Sequence, residues 1–284
     1  MQCQVQNLTV HKFGGASVKD ASAFRNVEII LQKCLHSPSV VVVSAIGKTT
    51  NKLEKVFSIL VSDGFDLALE ELNKIILSHQ HVIDDLSIEL EIKELFVNAL
   101  KSSSHLNDLD AAYDVLVASG EDASTRILFA YLDSKSWDVE WRDVREIIKT
   151  DARHNCARVD ESRLEEMGLS LRVSLSESSR RVIVTQGFIG MCPLGKTTTL
   201  GREGSDYSAA LLACAIRADE VVIWKDVPGM LNADPSVFED TQTMEELDYS
   251  EALELSYYGA SVIHPRTVKP PENLGISLLV RSCM

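Results

Sequence analysis

The sequence predicts an α/β fold, built in layers around a largely parallel β-sheet. Five short apolar runs bounded by turn residues are typical of strands buried on both faces, and they lie at residues 8–13, 40–45, 182–186, 221–224 and 276–280. Most of these runs precede or follow a segment with helical periodicity, which favours parallel strands joined by helices. Ligands of such sheets bind beyond the carboxyl ends of the strands, so the segments that follow the runs are candidate site segments.

Length, composition and charge exclude several classes of protein. The chain has 284 residues, of which 45% are hydrophobic, and this suits one large domain with a subdomain. Its 42 acidic and 28 basic residues give a formal net charge of −14, which would repel a nucleic-acid backbone. No apolar run approaches the roughly 20 residues of a membrane-spanning helix, and the amino terminus lacks the layout of a signal peptide. We therefore expect a cytoplasmic protein that binds neither nucleic acid nor membrane.

The cysteines indicate neither a metal centre nor a disulfide framework. They are scattered along the chain at Cys3, Cys34, Cys156, Cys192, Cys214 and Cys283. Because no CxxC pair and no Cys/His spacing suited to zinc is present, we expect reduced thiols that mostly serve in packing.

A long helical region interrupts the strand pattern. Between residues 67 and 132 apolar residues recur at helical spacing, and Gly120 is the only glycine there. We expect a mainly helical subdomain at about 66–135, inserted in the α/β scaffold, with a polar loop at 102–108. Gly120 and Glu121 are expected to begin a helix, with the carboxylate in its first turn.

The first segment that could carry chemistry follows the first predicted strand. Lys-Phe-Gly-Gly-Ala-Ser-Val occupies residues 12–18, ahead of a helical pattern at 20–35. Gly14 and Gly15 would let backbone N–H groups approach a phosphate, and Lys12 could supply positive charge for phosphoryl transfer. A tight strand-to-helix turn beside a surface lysine is the alternative.

The second segment, residues 198–206, precedes an Ala- and Leu-rich helical pattern at 207–217. Ser205 is a suitable N-cap and Asp206 suits a first helical turn, which by themselves are structural roles. The guanidinium of Arg202 could grip a substrate carboxylate with two hydrogen bonds.

Further polar residues follow other predicted strands. Asp226 precedes a Pro-Gly turn and could orient Mg²⁺ or a nucleotide hydroxyl, or it could cap the turn. Ser44, Thr50 and Asn51 cluster after the second strand, where capping and turn roles are equally open. His264-Pro265 is expected to mark a turn.

Residues 190–197 match the phosphate-binding pattern GxxxxGK[ST] literally. A P-loop must open directly into a helix, whereas here Gly201 and Gly204 interrupt the chain and the helix starts near Ser205. We therefore expect Lys196 to be an exposed lysine in a hairpin.

Taken in chain order, these segments resemble the signatures of the aspartate kinases, a branch of the amino-acid kinase family. Residues 12–18 resemble the family's KFGGTSV motif. The other six segments that resemble family signatures lie at 43–53, 120–121, 185–190, 197–210, 226–235 and 258–265.

The resemblance implies a three-layer αβα sandwich, the amino-acid kinase fold, in which ATP and aspartate meet at the carboxyl ends of the strands. It implies transfer of the ATP γ-phosphoryl group to the side-chain carboxylate of L-aspartate, with Mg²⁺ as cofactor, to give 4-phospho-L-aspartate. This is the first step of lysine, threonine and methionine biosynthesis. The attacking carboxylate is already ionised at neutral pH, so no general base is needed. The resemblance leaves a homodimer open.

The resemblance also implies roles for particular residues. Lys12 would stabilise the transferring phosphoryl group, and Asp206 would organise the phosphate and metal region; no residue is assigned as a direct metal ligand. The substrate-binding residues would be Ser44, Thr50, Glu121, Phe188, Arg202 and Ser205. The nucleotide-binding residues would be Lys12, Gly14, Gly15, Lys225, Asp226 and Leu231.

The chain departs from the family pattern at several positions. Ala16 replaces the threonine of KFGGTSV, and Glu203 stands where many members have glycine. The substitutions around the nucleotide are Lys225 for a frequent threonine, Leu231 for tyrosine, Ser236 for arginine and Ser261 for lysine. Family members usually continue into ACT regulatory domains. We expect residues 1–284 to form a catalytic domain without them, either as a truncated chain or as a catalytic-only member.

Two other functions remain open. A kinase of the same fold could form an acyl phosphate on glutamate or N-acetylglutamate. Alternatively, the substitutions around the nucleotide could have abolished turnover and left a non-catalytic nucleotide- or amino-acid-binding subunit.

Overall fold

The computed structural model describes residues 8–34, 37–176, 181–227, 229–232, 238, 240–258 and 262–283. Its strands are β1 (Thr9–Phe13), β2 (Ser39–Val43), β3 (Val139–Trp141), β4 (Val182–Gln186), β5 (Ile189–Met191), β6 (Thr197–Thr199), β7 (Glu220–Lys225) and β8 (Ser277–Ser282). Its α-helices are α1 (Ala21–Cys34), α2 (Thr49–Ser62), α3 (Phe65–Leu86), α4 (Lys93–Ser104), α5 (Leu109–Ser134), α6 (Glu161–Ser176), α7 (Gly204–Ile216), α8 (Tyr249–Tyr258) and α9 (Pro265–Leu274). Short 3-10 helices lie at Gly15–Val18 and Val144–Glu146.

Six strands form one sheet in the order β3-β4-β2-β1-β7-β8, and every neighbouring pair is parallel. β5 and β6 pair separately as an antiparallel hairpin. Every residue of β1, β2 and β4 is buried, as expected for central strands of a parallel sheet. The predicted α/β fold with a mainly parallel sheet is confirmed.

The two faces of the sheet are covered by different sets of helices. Alternate residues of a strand point to opposite faces, so Val41 and Val43 pack in one apolar cluster with helices α1 to α5. Val40 and Val42 pack in a second cluster, with α6 and α7. Helix, sheet and helix therefore form the three layers that the family resemblance implied.

The prediction of strands buried on both faces is wrong for the last apolar run. β8 lies at the edge of the sheet beside β7, and all its residues are exposed or half-buried. An edge strand has a neighbouring strand on one side only, so its residues are less buried than those of a central strand. β3, at the other edge, was not predicted; with three residues it is too short to give a periodic signal.

Helices α3, α4 and α5 occupy the region in which the sequence predicts a helical subdomain. The predicted polar loop is shorter than expected, because α4 continues to Ser104. Gly120 and Glu121 do not begin a helix but lie in the middle of α5. A Cβ atom on Gly120 would lie 3.0 Å from the Cβ of Ala45 and 3.2 Å from a methyl group of Leu53. The glycine therefore marks a close approach of α5 to the start of α2 and not a helix start.

Two further predictions, one of a helix start and one of a turn, are also corrected. Ser205 is not an N-cap: α7 begins at Gly204, and Glu203 holds the N-cap position with φ of +52°. His264-Pro265 marks a helix start and not a simple turn. The Nδ1 atom of His264 accepts a hydrogen bond from the Arg266 N–H at 3.2 Å, and Pro265 is the first residue of α9.

The GxxxxGK[ST] match does not form a P-loop. Gly190 lies in β5, and Lys196 is exposed in the turn that leads to β6. A strand and not a helix follows the lysine, so backbone N–H groups are not gathered around a phosphate. The expected hairpin is confirmed.

None of the helices in the described part of the chain combines the length and the apolar character needed to cross a bilayer.

The buried side chain of His79 makes the stability of the helical region depend on pH. It is buried in α3, its ring is 5.1 Å from that of Phe96 in an edge-to-face arrangement, and its Nδ1 atom lies 2.9 Å from the carbonyl oxygen of Ile75. Its Nε2 atom has no hydrogen-bond partner among the described residues. Burial lowers the pKa of His79 to about 4, because the charged ring would lose its hydration.

We predict that replacing His79 reduces the loss of stability in acid. The unfolded chain binds a proton at His79 below pH 6.5 and the folded chain only near pH 4, so the free energy of unfolding decreases as pH falls through this interval. Urea unfolding at pH 7 and pH 5 should show that His79→Leu loses roughly 2 kcal/mol less than the original chain.

His81→Leu is the matched control, because His81 is an exposed residue of the same helix. It should lose as much stability as the original chain between the two pH values. His11, whose pKa burial also lowers to about 4, is present in all three proteins, so a residual slope is expected. An unchanged slope for His79→Leu would contradict the prediction.

Candidate functional site

A cavity of about 1020 Å³ opens at the carboxyl ends of the central strands. Ten of the thirteen residues to which the family resemblance assigns a role line it: Lys12, Gly15, Ser44, Thr50, Glu121, Phe188, Arg202, Ser205, Asp206 and Lys225. They come from segments far apart in the chain, which the parallel strands bring to one edge of the sheet.

One end of the cavity contains a group of three charged side chains, of which two are buried and the third, Lys225, is half-buried. The Nζ atom of Lys12, in β1, lies 2.6 Å from Oδ1 of Asp206, in the first turn of α7. The Nζ atom of Lys225, the last residue of β7, lies 3.1 Å from Oδ2 of the same carboxylate. A lysine in a central strand is costly to bury unless it is paired, so this contact explains how Lys12 is accommodated.

The charge of Asp206 is secured by its surroundings. Burial would raise the pKa of its carboxyl group, but the positive charges of Lys12 and Lys225 outweigh burial and lower the pKa below the ordinary value. The carboxylate is therefore ionised at neutral pH. Two ammonium groups and one carboxylate leave one net positive charge at this end of the cavity.

The turn after β1 is packed directly against the turn after β2. A Cβ atom on Gly15 would lie 2.4 Å from the carbonyl oxygen of Gly47 and 2.8 Å from that of Ala45. No side chain fits between them, and the Gly47 N–H donates a hydrogen bond to the Gly15 carbonyl at 2.9 Å. A 3-10 helix at Gly15–Val18 lies between this turn and α1, which occupies the predicted helical stretch.

Glu121 forms a buried acceptor in the cavity wall. Its Oε1 atom accepts a hydrogen bond from the Ala45 N–H at 3.3 Å, whereas Oε2 has no partner among the described residues. Burial raises the pKa of Glu121 to about 8, and the hydrogen bond from Ala45 only partly opposes this effect. The carboxyl group is therefore mostly protonated at neutral pH, and a cationic ligand group beside it would favour its ionised form.

The start of α7 presents groups suited to an anion. The Glu203 side chain makes no capping hydrogen bond, and the N–H groups of Gly204 and Asp206 donate to the carbonyl oxygens of Gly201 and Glu203 at 3.0 and 3.1 Å. Arg202 is exposed, lines the cavity and forms no ion pair with any described residue. A ligand carboxylate could therefore be held by the Arg202 guanidinium, near the positive end of the α7 dipole.

Ser44, Thr50 and Phe188 complete this wall of the cavity. Ser44 follows β2 directly, and Thr50 lies in the first turn of α2. Phe188 adopts a left-handed backbone conformation with φ of +70°. Its N–H donates a hydrogen bond to Oγ of Ser208 at 2.9 Å, which fixes the turn between β4 and β5 to α7.

Sequence reasoning missed one group of polar residues near the cavity. Asp114, fully buried in α5, accepts hydrogen bonds from Oγ1 of Thr199 at 2.6 Å, from Nδ1 of His154 at 2.7 Å and from the Asn155 N–H at 3.1 Å. Asn155 and Thr199 both line the cavity. The available signal was an aspartate in an apolar helical stretch seven residues before Glu121, on the same helical face.

Three predicted nucleotide residues are not part of the cavity lining. Gly14 is adjacent to it, since a Cβ atom there would lie 3.2 Å from the Nζ atom of Lys12. Asp226 is exposed directly after β7, and Leu231 is half-buried and forms a β-bridge with Thr243. Their nucleotide roles stay predictions. The predictions for Ser236 and Ser261 lie outside the described residues.

The side chains of the cavity suit a metal ion that is already coordinated by a bound ligand. Among the described residues no group of three His, Cys, Asp or Glu side chains is placed to hold a metal. Beside the two lysines stands the carboxylate of Asp206, and both of its oxygens face ammonium groups. Such a set suits Mg²⁺ bound mainly by nucleotide phosphates, with at most one protein carboxylate.

In comparisons with known proteins, the chain is similar to several aspartokinases. The chain is 35% identical to lysine-sensitive aspartokinase 3 of Escherichia coli, over 98% of this chain and 62% of that protein. It is 33% identical to an aspartokinase of Chlamydia pneumoniae, over 96% of this chain and 60% of that protein. The crystal structure of E. coli aspartokinase III in complex with aspartate and ADP superposes with a TM-score of 0.86, covering 97% of this chain and 62% of that one. The chain thus spans about three fifths of the length of these relatives.

The model of the amino acid kinase family matches residues 7–282. That match covers every strand of the sheet and every residue assigned to the cavity. The chain belongs to the amino acid kinase family.

Proposed function

We propose that the chain is an aspartate kinase, which transfers the γ-phosphoryl group of ATP to the side-chain carboxylate of L-aspartate. The observation that carries this proposal is a single cavity with a lysine–aspartate–lysine group at one end and Arg202 and Glu121 in its wall. The relatives named as aspartokinases, one of them crystallised with aspartate and ADP, support the same assignment.

The positive end of the cavity suits the phosphate chain of ATP. Lys12 faces the cavity from β1 and is oriented by Asp206, so its charge is already in place before the reaction starts. Phosphoryl transfer spreads negative charge over the oxygens of the moving group, and a preoriented cation stabilises that distribution. Mg²⁺ carried by the nucleotide would neutralise further phosphate charge.

The other groups suit the amino acid. Arg202 can hold one carboxylate, and the unpartnered Oε2 atom of Glu121 can accept a hydrogen bond from the ammonium group. Ser44, Thr50 and Ser205 add hydroxyl groups along the wall, and the Phe188 ring borders the pocket. We propose that these six residues bind aspartate.

The chemistry balances without a general base. An oxygen of the aspartate side-chain carboxylate attacks the γ-phosphorus, and the bond from that phosphorus to the β–γ bridging oxygen breaks. ADP leaves with the electron pair, and no proton is transferred because the carboxylate is already ionised. The residues serve positioning and charge stabilisation.

We further propose that residues 1–284 act as one catalytic domain, with a helical subdomain at about 66–135. A homodimer remains the assembly to be tested. A kinase acting on glutamate or N-acetylglutamate, or a subunit that binds without turnover, is the alternative to be separated by experiment.

Lys12 is expected to be essential for turnover. With Mg²⁺ and ATP, trapping by hydroxylamine should yield aspartate-dependent hydroxamate, and Lys12→Ala should lower kcat by roughly 100-fold or more because a transition-state charge is removed. Lys196→Ala is the matched control: that lysine is exposed in the β5–β6 hairpin, and its loss should leave turnover unchanged.

Other outcomes select the alternatives. Hydroxamate with glutamate or N-acetylglutamate but not with aspartate would assign a different acceptor. A folded, ATP-binding chain that produces no hydroxamate would favour the non-catalytic subunit. Loss of turnover in Lys196→Ala would support the P-loop that the structure argues against.

Glu121 is expected to affect the binding of aspartate and not of ATP. Glu121→Gln should raise KM for aspartate by roughly 10- to 100-fold, because a charged acceptor for the ammonium group becomes neutral, and should leave KM for ATP unchanged. Since burial raises the pKa of Glu121 to about 8, its ionisation opposes folding as pH rises from 4.5 towards 8. The variant should therefore be at least as stable as the original chain at pH 8.

Glu54→Gln is the control for this variant. Glu54 lines the same cavity and accepts a hydrogen bond from the Tyr113 hydroxyl at 2.8 Å, but no role in binding aspartate is proposed for it. Steady-state kinetics and urea unfolding measure both effects. An equal rise in KM for aspartate in the two variants would contradict the assignment of Glu121.

A further inference from the structure

Lys225, predicted only as a nucleotide contact, lies at the same end of the cavity as Lys12 and Asp206. Its Nζ atom is 3.1 Å from Oδ2 of Asp206 and also donates a hydrogen bond to the carbonyl oxygen of Val262. The Lys225 side chain is 19% exposed, and those of Lys12 and Asp206 are 8% and 3% exposed. All three side chains line the same cavity.

Strand register explains why the two lysines share one carboxylate. β1 and β7 are parallel neighbours, with Lys12 opposite Ile223. Lys225 lies two residues beyond Ile223, so it projects from the same face of the sheet as Lys12, roughly 6.6 Å further along the strand direction. That face is the one covered by α7, whose first turn carries Asp206. The two ammonium groups thus approach Asp206 from successive positions along the sheet edge.

The charge of this arrangement is unbalanced. One carboxylate neutralises one ammonium group, and the remaining positive charge is held where water has limited access. An uncompensated charge in such a place is unfavourable, and it is relieved when an anion binds. A chain of phosphates offers several anionic oxygens spread over a comparable length, which a single carboxylate does not.

Building on the proposed kinase function, we propose that Lys225 is a second phosphate-binding residue. With Lys12 it contacts the phosphate chain of the nucleotide, and Asp206 keeps both ammonium groups aimed at that chain. Lys225 is thereby assigned to the phosphates, and the predicted roles of the other nucleotide-binding residues stay as they were.

The test compares a ligand with a nucleoside and one without. Calorimetric titration with ADP and with inorganic tripolyphosphate, at constant Mg²⁺, is carried out on the original chain and on Lys225→Met and Lys225→Arg. The Met variant should bind both ligands roughly 10- to 100-fold more weakly, because a charged contact to phosphate is lost. The Arg variant, which keeps the charge, should recover most of the affinity for both.

Lys196→Met, in the exposed hairpin, is the control and should bind both ligands as the original chain does. Weaker binding of ADP alone by Lys225→Met would place the lysine on the nucleoside and overturn the proposal. Unchanged binding of both ligands would show that Lys225 only neutralises Asp206. Failure of the original chain to bind tripolyphosphate would also overturn it.

These titrations require neither aspartate nor turnover. If the original chain forms no hydroxamate but Lys225→Met loses affinity for both ligands, the kinase function fails and the role of Lys225 stands. If hydroxamate forms but Lys225→Met binds both ligands as the original chain does, the kinase function stands and the role of Lys225 fails. Urea unfolding of Lys225→Met and Lys225→Arg shows whether each variant is folded, and the Arg variant keeps the test valid if the Met variant is not.

Discussion

The contact between Lys12 and Asp206 is the constraint on which the rest of the site depends. It joins the central strand β1 to the start of α7, and both side chains are almost completely buried. Removing Asp206 would leave the ammonium groups of Lys12 and Lys225 without compensation, which is far more costly than the net gain from the pair. The presence of the pair therefore says little about the stability of the fold and indicates a functional role for Lys12. It holds a charged nitrogen at the end of a strand where an aliphatic residue would pack more favourably.

Around that pair, the site is assembled by backbone contact as much as by side chains. The turns after β1 and β2 touch through Gly15 and Gly47, and α5 approaches α2 through Gly120. Asp114 then ties α5 to the hairpin through Thr199 and to the loop that carries Asn155. The cavity wall is consequently made of segments that cannot shift independently, as a preorganised site requires.

The central strands and their burial on both faces could be predicted from the sequence, because buried parallel strands appear as continuous apolar runs bounded by turns. The false P-loop was also recognised, since local helix propensity contradicts it. The edge position of β8 could not be predicted, because an apolar run does not report how many neighbours a strand has. The mid-helix place of Gly120 was missed because its cause is a contact with Ala45, distant in sequence. Lys225 was assigned to the nucleotide, but its contact with Asp206 depends on the register of β1 and β7, whose paired residues, such as Lys12 and Ile223, are far apart along the chain.

The unpartnered oxygen of Glu121 has a consequence for the thermodynamics of binding. Its pKa of about 8 means that the free chain carries a proton there at neutral pH, whereas a carboxylate that holds an ammonium group must be ionised. Capture of the amino acid would then expel a proton into solution. The apparent affinity would rise with pH until the free carboxyl group is itself ionised, and the heat of binding would include the ionisation heat of whatever buffer accepts the proton.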